Sequence, residues 1–160
     1  MPLRKRISHR THFAGRFGVT YFITICCQRR GVNQLCQSET AAVLSKTAGI
    51  YHDQGRWQLR LLVLMPDHLH ALIRTDGSAS LSELIRGYKR ITAKLAKVSW
   101  QRNFFDHRLR HSESSSQKFD YITQNPVRAG LIDCAGNWPY TFGPGINEIG
   151  RNTTGPGEGH

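Results

Sequence analysis

Hydrophobic and polar positions along the chain follow two periods, one typical of strands and one typical of helices. Apolar runs rich in β-branched and aromatic residues at 19–27, 57–64 and 68–74 predict strands. The Met65-Pro66-Asp67 segment between the second and third runs is a tight turn, which makes those two strands antiparallel neighbours. Residues 103–109 predict a fourth strand. The pattern therefore indicates a sheet that contains a hairpin.

The helical period governs the intervals between these strands. A first helix is expected over residues 39–53, with a stop at Gly55. A second helix begins at Ser80, which forms a capping box with Glu83. The apolar positions expected in the core are Ala42, Val43, Ala48 and Ile50 in the first helix, and Leu81, Leu84, Ile85, Tyr88, Ile91 and Leu95 in the second.

A third helix is expected near the end of the patterned region. Serines open it at residues 114–116, and it closes at Gln124, because Pro126 disfavours helical geometry at Asn125. The resulting order is strand, helix, strand, strand, helix, strand, helix. That order predicts an α+β, ferredoxin-like sandwich, with one antiparallel sheet, helices on one face and an added C-terminal helix.

The 160 residues suit one domain, which we place at residues 1–142. Residues 1–18 form a basic arm within it. Residues 143–160 are rich in glycine and poor in apolar residues, which predicts a flexible tail.

The chain is strongly basic, with a formal net charge of +11. So large a surplus favours a polyanionic partner, although a basic surface without a specific partner remains open. No acidic residue occurs in residues 1–38. The basic residues fall into two blocks: Arg4, Lys5, Arg6, Arg10, Arg16, Arg29 and Arg30, and then Arg86, Lys89, Arg90, Lys94, Lys97, Arg102, Arg108 and Arg110.

Neither a membrane helix nor a secretion signal is indicated by the apolar pattern. No run approaches the roughly 20 apolar residues that a membrane helix needs, so we expect no membrane partner and a soluble cytoplasmic protein. The four cysteines lack C-x-x-C spacing, which favours free thiols in a reducing compartment over a disulfide framework or a zinc site.

Two pairs of residues could carry chemistry. His68 and His70 are two apart on a predicted strand, so their rings share one face and could chelate one metal ion. Tyr121 and Asn125 are four apart at a helix end and project from one side of it. Taken alone, each pair could equally be structural, with satisfied histidines, a packed tyrosine and a helix-end asparagine.

Three stretches of the sequence resemble the linked signatures of one family. MPDHLH (residues 65–70), WQRNFFDHRLR (residues 100–110) and YITQNPVRAGLI (residues 121–132) look like those of REP-associated tyrosine transposases, relatives of the single-tyrosine transposases of small insertion sequences. With the strand YFITICCQ and the helix segment LSELIRGYKR, the likeness spans about residues 16–142.

The resemblance implies an HUH-type enzyme that nicks single-stranded DNA and transfers the cut strand. It implies His68 and His70 as metal ligands, Tyr121 as nucleophile and Asn125 as third ligand, with Mg²⁺ or Mn²⁺ as cofactor. Insertion-sequence relatives usually have glutamine at the fourth position after the tyrosine, so Gln124 stays open as a substitute for Asn125. The implied substrates are single-stranded or hairpin DNA at REP-type palindromic repeats, cut through a 5′-phosphotyrosine intermediate in a bacterial, nucleoid-associated protein.

The basic residues are the expected DNA contacts. They are Arg4, Lys5 and Arg6 in the arm, Arg86, Lys89, Arg90, Lys94 and Lys97 on the second helix, and Arg108 and Arg110 on the fourth strand. Arg108 and Arg110 alternate with Leu109, so both could steady the target phosphate or the metal site. His107 is a weaker candidate for that role and is interpreted as structural. Asp106 is a candidate to orient a metal-bound histidine.

Three other functions compete with this interpretation. The domain could bind RNA or DNA without cutting it, could hydrolyse DNA with water as the nucleophile, or could be an idle relative that only binds repeats. The exact target, the monomeric or homodimeric state, and mobility as opposed to processing of host repeats are not set by the sequence.

Overall fold

The computed structural model describes residues 18–110 and 114–144. Its strands are β1 (Val19–Cys26), β2 (Gln58–Met65), β3 (His68–Thr75), β4 (Phe105–Arg108) and β5 (Thr141–Phe142). They form one sheet in the order β4-β1-β3-β2-β5, and each neighbouring pair is antiparallel. The first four strands have the predicted ferredoxin-like arrangement, and β5 adds an edge beyond β2.

The helices are α1 (Ser38–Asp53), α2 (Leu81–Ala96), α3 (Ser115–Thr123) and α4 (Asn125–Arg128), and a single 3-10 turn spans Ala135–Asn137. In the described part of the chain no helix is long and apolar enough to cross a membrane. All four cysteines are free thiols, as their spacing predicted.

The larger core lies between one face of the sheet and the helices α1 and α2. Its strand residues include Ile23, Leu64, Leu69 and Ile73, all close to fully buried. Tyr88 of α2 enters the same core and donates a hydrogen bond from its hydroxyl to the Leu44 carbonyl, 2.8 Å away. This contact ties the two helices together inside the core.

The rotation of α1 differs from the predicted one. Ala42 and Ile50 are exposed, whereas Leu44 and Tyr51 are buried. Tyr51 fixes this rotation, because its ring packs against Trp57 with centroids 4.8 Å apart. The large side chains therefore decide which stripe of the helix faces the sheet. The predicted stop is present, with Gly55 at φ +74.

The second helix begins as predicted, but its buried apolar face ends one turn before the predicted last position, Leu95. The Ser80 hydroxyl accepts a hydrogen bond from the Glu83 amide, 3.1 Å away, which closes the first turn. Leu95 is 61% exposed, so its predicted place in the core was wrong. The space beneath the last turn is taken by Trp100, whose indole donates to the Thr92 hydroxyl over 3.0 Å.

The added helix α3 lies on the opposite face of the sheet. Ile122 is fully buried there in a second, smaller cluster with Leu61, Val63, Met65 and Leu72. The Ser114 hydroxyl caps α3 by accepting from the Gln117 amide. The sheet is thus covered by α1 and α2 on one side and by α3 on part of the other.

Two predicted boundaries were wrong. Pro126 does not end helical geometry: Asn125 begins α4 at once, because a proline in the first turn of a helix lacks only an amide that would have no partner there. Strand β4 is shorter than predicted and spans only Phe105–Arg108 at the edge of the sheet, where it pairs with β1 alone.

We expect the attachment of α3 to depend on Ile122. Ile122→Ala should lower the free energy of unfolding by about 2–4 kcal/mol, because it leaves a cavity beneath a fully buried side chain. The matched control is Ile50→Ala, at an isoleucine that is 43% exposed, which should change stability by less than about 0.5 kcal/mol. Denaturant titration of both variants measures the difference, and equal losses would show that α3 is not held by this contact.

Candidate active site

Strand β3 presents His68 and His70 on the face of the sheet that α3 covers. Leu69 and Ala71 point into the core beneath α1 and α2, whereas Leu72 contacts Ile122 on the other side. Because alternate strand residues share a face, His68 and His70 lie on the side of Leu72, which we call the site face. Their ring centroids are 4.9 Å apart, and the rings are nearly perpendicular at 80°.

The Nδ1 atom of each histidine has a partner within the protein. His68 Nδ1 lies 2.8 Å from the Asp67 carboxylate, and His70 Nδ1 lies 2.9 Å from the Thr24 hydroxyl. A neutral imidazole that donates through Nδ1 carries its lone pair on Nε2. The Asp67 carboxylate can only accept from His68, and the Thr24 hydroxyl can accept from His70. In that tautomer both Nε2 atoms carry a lone pair for an external ligand, which is the arrangement that metal-binding histidines usually have.

Asp67 is held as a carboxylate by the segment that follows β1. Its Oδ2 accepts from the Gly31 amide at 2.7 Å and from Arg30 Nε at 2.9 Å. Burial opposes ionisation of Asp67, but the hydrogen bonds from Gly31, His68 and Arg30 outweigh burial and hold the pKa of the carboxyl well below its ordinary value. Asp67 is therefore an anchored negative charge that fixes the ring of His68.

His70 is the more deeply placed ring. Burial, followed by electrostatic interactions with His68 and Arg128, lowers the pKa of His70 to about 3. The ring of Phe22 lies 5.4 Å from it, centroid to centroid. His70 is thus neutral at ordinary pH, which is the state that a metal ligand requires.

Tyr121 lies on α3 and is 53% exposed. The guanidinium of Arg128 stacks over its ring at 3.9 Å from the centroid, and Lys118 Nζ is 5.4 Å from the same centroid. Lys118 also lies 5.2 Å from the ring centroid of Phe22, the neighbour of His70. Lys118 and Phe22 therefore connect Tyr121 to His70 through a chain of contacts, and the charge of Arg128 acts on His70 from beside the Tyr121 ring.

Asn125 and Gln124 differ in their surroundings. Asn125 is partly buried, and its Oδ1 accepts a hydrogen bond from Arg128, whereas Gln124 is exposed. An amide oxygen has two lone pairs, so the bond from Arg128 leaves Asn125 one acceptor position. Asn125 is thus the amide that contacts Arg128, whereas Gln124 faces solvent.

The donor set expected from the sequence is two imidazoles and one amide oxygen. No group of three or more His, Cys, Asp or Glu side chains suited to a metal occurs within residues 18–110 and 114–144. A divalent ion bound here would keep several open positions for water or phosphate oxygens. The free Nε2 atoms and the neutral state of His70 fit such an ion.

The fourth strand places its polar residues differently from our expectation. Asp106 pairs with Ile23, and Arg108 pairs with Tyr21, both of which face the core beneath α1 and α2. Direct cross-strand partners share a face, so Asp106 and Arg108 lie opposite the site face, and Asp106 does not orient a histidine. His107 pairs with Phe22 and does lie on the site face, and Arg110 lies beyond the end of β4.

The basic residues of α2 also lie on the far side of the sheet. Arg86, Arg90, Lys94 and Lys97 are exposed, while Lys89 is partly buried and donates from Nζ to the Arg102 carbonyl at 2.8 Å. The sheet separates this surface from the histidines. Arg4, Lys5 and Arg6 of the arm, and residues 145–160 of the tail, lie outside the described residues.

Sequence reasoning missed the residues that support the site. Asp67 directly precedes His68 in the MPDHLH turn, so its role could have been found by asking what orients each histidine. Arg128 lies seven positions after Tyr121, two helical turns on, and could have been found in the same way. Thr24 carries no local signal, because only the pairing of β1 with β3 brings it to His70.

Comparisons with known proteins identify related chains. The family described as "Transposase IS200 like" matches residues 16–125. A REP-associated tyrosine transposase of Escherichia coli is 24% identical, covering 78% of this chain and 76% of its own length. A Haemophilus influenzae protein given the same name provisionally is 25% identical, covering 78% of this chain and 79% of its own length.

A solved structure has the same fold. It is a REP-associated tyrosine transposase bound to a REP hairpin, which superimposes with a TM-score of 0.67 at 24% identity. The alignment covers 79% of this chain and 77% of that chain.

The pH dependence of stability tests the state of His70. Its pKa is about 3 in the folded protein and about 6.5 when exposed, so between these values the unfolded chain binds the extra proton. The free energy of unfolding should therefore fall with decreasing pH, by up to about 1.4 kcal/mol per unit between about pH 6 and about pH 4. Asp67, whose pKa is lowered in the folded protein, adds to the slope only at the acid end of this window, where the unfolded carboxyl begins to bind a proton.

Urea titrations of the metal-free protein across that window measure the slope. In His70→Gln the slope should flatten, since the substituted side chain does not titrate. The same slope in both proteins would show that His70 is not held neutral by burial.

Proposed function

Because this chain belongs to the IS200-like transposase family, we propose that it cuts and rejoins single-stranded DNA at REP-type palindromic repeats, with Tyr121 as the nucleophile. The observation that carries the proposal is the placement of Tyr121 and the two histidines. The helix that bears Tyr121 packs on the site face through Ile122. Arg128 stacks on the ring of Tyr121, and its positive charge helps to lower the pKa of His70. The candidate nucleophile and the candidate metal site thus lie on the same face of the sheet, which supports the proposal.

The substrate is a single strand that folds into a hairpin. The formal charge of +11 supplies the general attraction for phosphate. The relative with the same fold was solved bound to a REP hairpin, which supports the same class of ligand here. Because Tyr121 is exposed, its hydroxyl would be accessible to the backbone of a DNA strand that is not part of a regular duplex.

The covalent step exchanges one phosphodiester for another. The phenol oxygen of Tyr121 attacks the scissile phosphorus, loses its proton to solvent, and forms a 5′-phosphotyrosine bond. The bond from phosphorus to the 3′ oxygen breaks, and that oxygen leaves with a proton as a free hydroxyl. Because the bond energy is kept in the adduct, attack by a 3′-hydroxyl can reseal a strand without ATP.

Residues of this chain would hold a divalent metal, Mg²⁺ or Mn²⁺, at the two histidines. His68 and His70 would bind it through their Nε2 atoms, with Asn125 as the amide ligand and Gln124 as its alternative. Bound there, the ion would polarise the scissile phosphate and stabilise charge that develops on its oxygens. Asp67 and Thr24 hold the two rings in orientation whether or not the ion is bound.

Arg128 and Lys118 supply positive charge beside the phenol. Arg128 lies against the face of Tyr121, and a guanidinium can bind two phosphate oxygens at once. Lys118 adds a second charge on the same side of α3. Together they would hold the phosphate next to the attacking oxygen. Their positive charge would also favour loss of the proton from the phenol.

The cations of α2 and of the basic arm would bind DNA backbone away from the phosphate that Tyr121 attacks. The sheet separates α2 from Tyr121, so Arg86, Arg90, Lys94 and Lys97 would contact backbone away from the cut. Lys89 contributes less, since its amine is bound to the Arg102 carbonyl. Arg4, Lys5 and Arg6 are proposed to extend the same attraction.

Tyr121→Phe should abolish the covalent protein–DNA adduct while leaving hairpin binding within about twofold, because only the attacking oxygen is lost. The measurement is incubation of labelled hairpin DNA with protein and Mn²⁺, followed by a denaturing gel. Tyr140→Phe is the matched control and should form the adduct normally. Removal of divalent metal by a chelator should prevent the adduct in both the unmodified protein and this control.

Other outcomes would point to the competing functions. Cutting that persists in Tyr121→Phe and leaves 5′-phosphate ends without an adduct would indicate hydrolysis by water. Tight binding by the unmodified protein, with neither cutting nor adduct on any hairpin of a randomised library, would indicate a binding module.

Charge reversal tests the proposed role of α2. Arg86→Glu together with Arg90→Glu should make log Kd less dependent on log salt, by roughly one unit of slope for each lost phosphate contact. Lys46→Glu, at an exposed lysine of α1, is the control and should leave the slope unchanged. An unchanged slope in the double variant would remove α2 from the interface.

A further inference from the structure

Phe105 is an exposed aromatic residue on the site face. It is 68% exposed, more than any other large hydrophobic side chain of the described residues. Its cross-strand partner on β1 is Thr24, whose hydroxyl lies 2.9 Å from His70 Nδ1. Because direct partners in an antiparallel pair share a face, Phe105 and His70 point to the same side of the sheet.

The distance between Phe105 and the histidines is set by the sheet. Phe105 lies two strands from His70, which corresponds to about 10 Å between their backbones. A stacked nucleic-acid strand rises about 3.4 Å per nucleotide, so this separation spans roughly three nucleotides, or fewer when the strand is extended. A phosphate at the histidine pair therefore places a base of the same strand within reach of the Phe105 ring.

Phe22 on the same face is partly buried, whereas Phe105 is exposed. Phe22 packs against the α3 cluster, with Lys118 over its ring at 5.2 Å and His70 beside it at 5.4 Å. Phe105 lies next to them on the edge strand, beyond the reach of this packing. Phe105 thus offers an exposed aromatic ring on the face of the sheet where Lys118 lies over Phe22. Exposed aromatic rings and positive charge on one surface are the features with which proteins bind unpaired bases.

We propose that Phe105 is a base-stacking subsite, which binds an unpaired nucleobase one to three nucleotides from the phosphate at the histidine pair. The inference rests on the proposed function, since it takes the substrate to be single-stranded DNA. The base in question belongs to the single-stranded tail next to the hairpin, because paired bases have no free face to offer. Stacking tolerates any base, so the subsite would fix the path of the strand more than its sequence.

A fluorescent base analogue tests the subsite directly. Hairpin oligonucleotides carry a single 2-aminopurine at successive positions of a single-stranded tail, and each is mixed with the full chain in the Tyr121→Phe background with Mn²⁺. Stacking on an aromatic ring quenches this fluorophore, so one tail position should be quenched on binding. Working without the nucleophile keeps the readout independent of cutting.

Three substitutions separate stacking from other effects of Phe105. Phe105→Leu keeps an apolar side chain on the strand but removes the ring, so it should abolish the quench and weaken binding of the tailed hairpin by about 5- to 150-fold. Phe105→Trp should restore both. Ile50→Ala, at an exposed apolar residue of α1, should change neither, and a hairpin without a tail should bind Phe105→Leu as tightly as the unmodified protein.

The outcomes distinguish this inference from the function on which it rests. An unaltered quench in Phe105→Leu, with adducts still formed by the protein that keeps Tyr121, would overturn the subsite alone. A quench that depends on Phe105, without any adduct, would support the subsite and overturn the proposed chemistry. A change of oligomeric state in Phe105→Leu without a change of quench would show instead that this edge strand contacts a second copy of the chain.

Discussion

The pairing register of β1, β3 and β2 is the constraint on which the rest of the structure depends. It places His70 between Thr24 on one neighbouring strand and Val63 on the other. The side-chain period of a strand is two, so a slip of one residue would turn both histidines into the core and Leu69 out of it. Such a slip would bury polar rings beneath α1 and α2, which explains why the register and the site are fixed together.

The turn between β2 and β3 links this register to the segment that follows β1. The Pro66 carbonyl accepts from the amides of Gln34 and Leu35, and the Asp67 carbonyl accepts from that of Cys27. The Asp67 carboxylate binds the same segment through Gly31 and also holds His68. This turn thus accepts hydrogen bonds from the backbone of the segment between β1 and α1. Through Asp67 it also orients His68, a candidate metal ligand.

The sheet separates two groups of residues that the sequence singled out. The exposed cations of α2 lie on one side, while His68, His70 and Tyr121 lie on the other. Strand β4 forms one edge of the sheet and β5 forms the other. Phe105 lies on that β4 edge and faces the histidines. Of the basic residues that the structure describes, the exposed cations of α2 are therefore separated by the sheet from His68, His70 and Tyr121.

The sequence by itself determined the element order, the fold class, the hairpin that carries His68 and His70, and the family, because each of these is written in local periodicity or in contiguous motifs. It did not determine the rotation of α1, the exposure of Leu95 or the helical turn at Asn125, since these depend on which large side chains compete for the core. Only the tertiary structure decided that Thr24 contacts His70 and that α2 and Tyr121 lie on opposite faces. Those relations join residues far apart in the chain, and only strand register and layer packing set them.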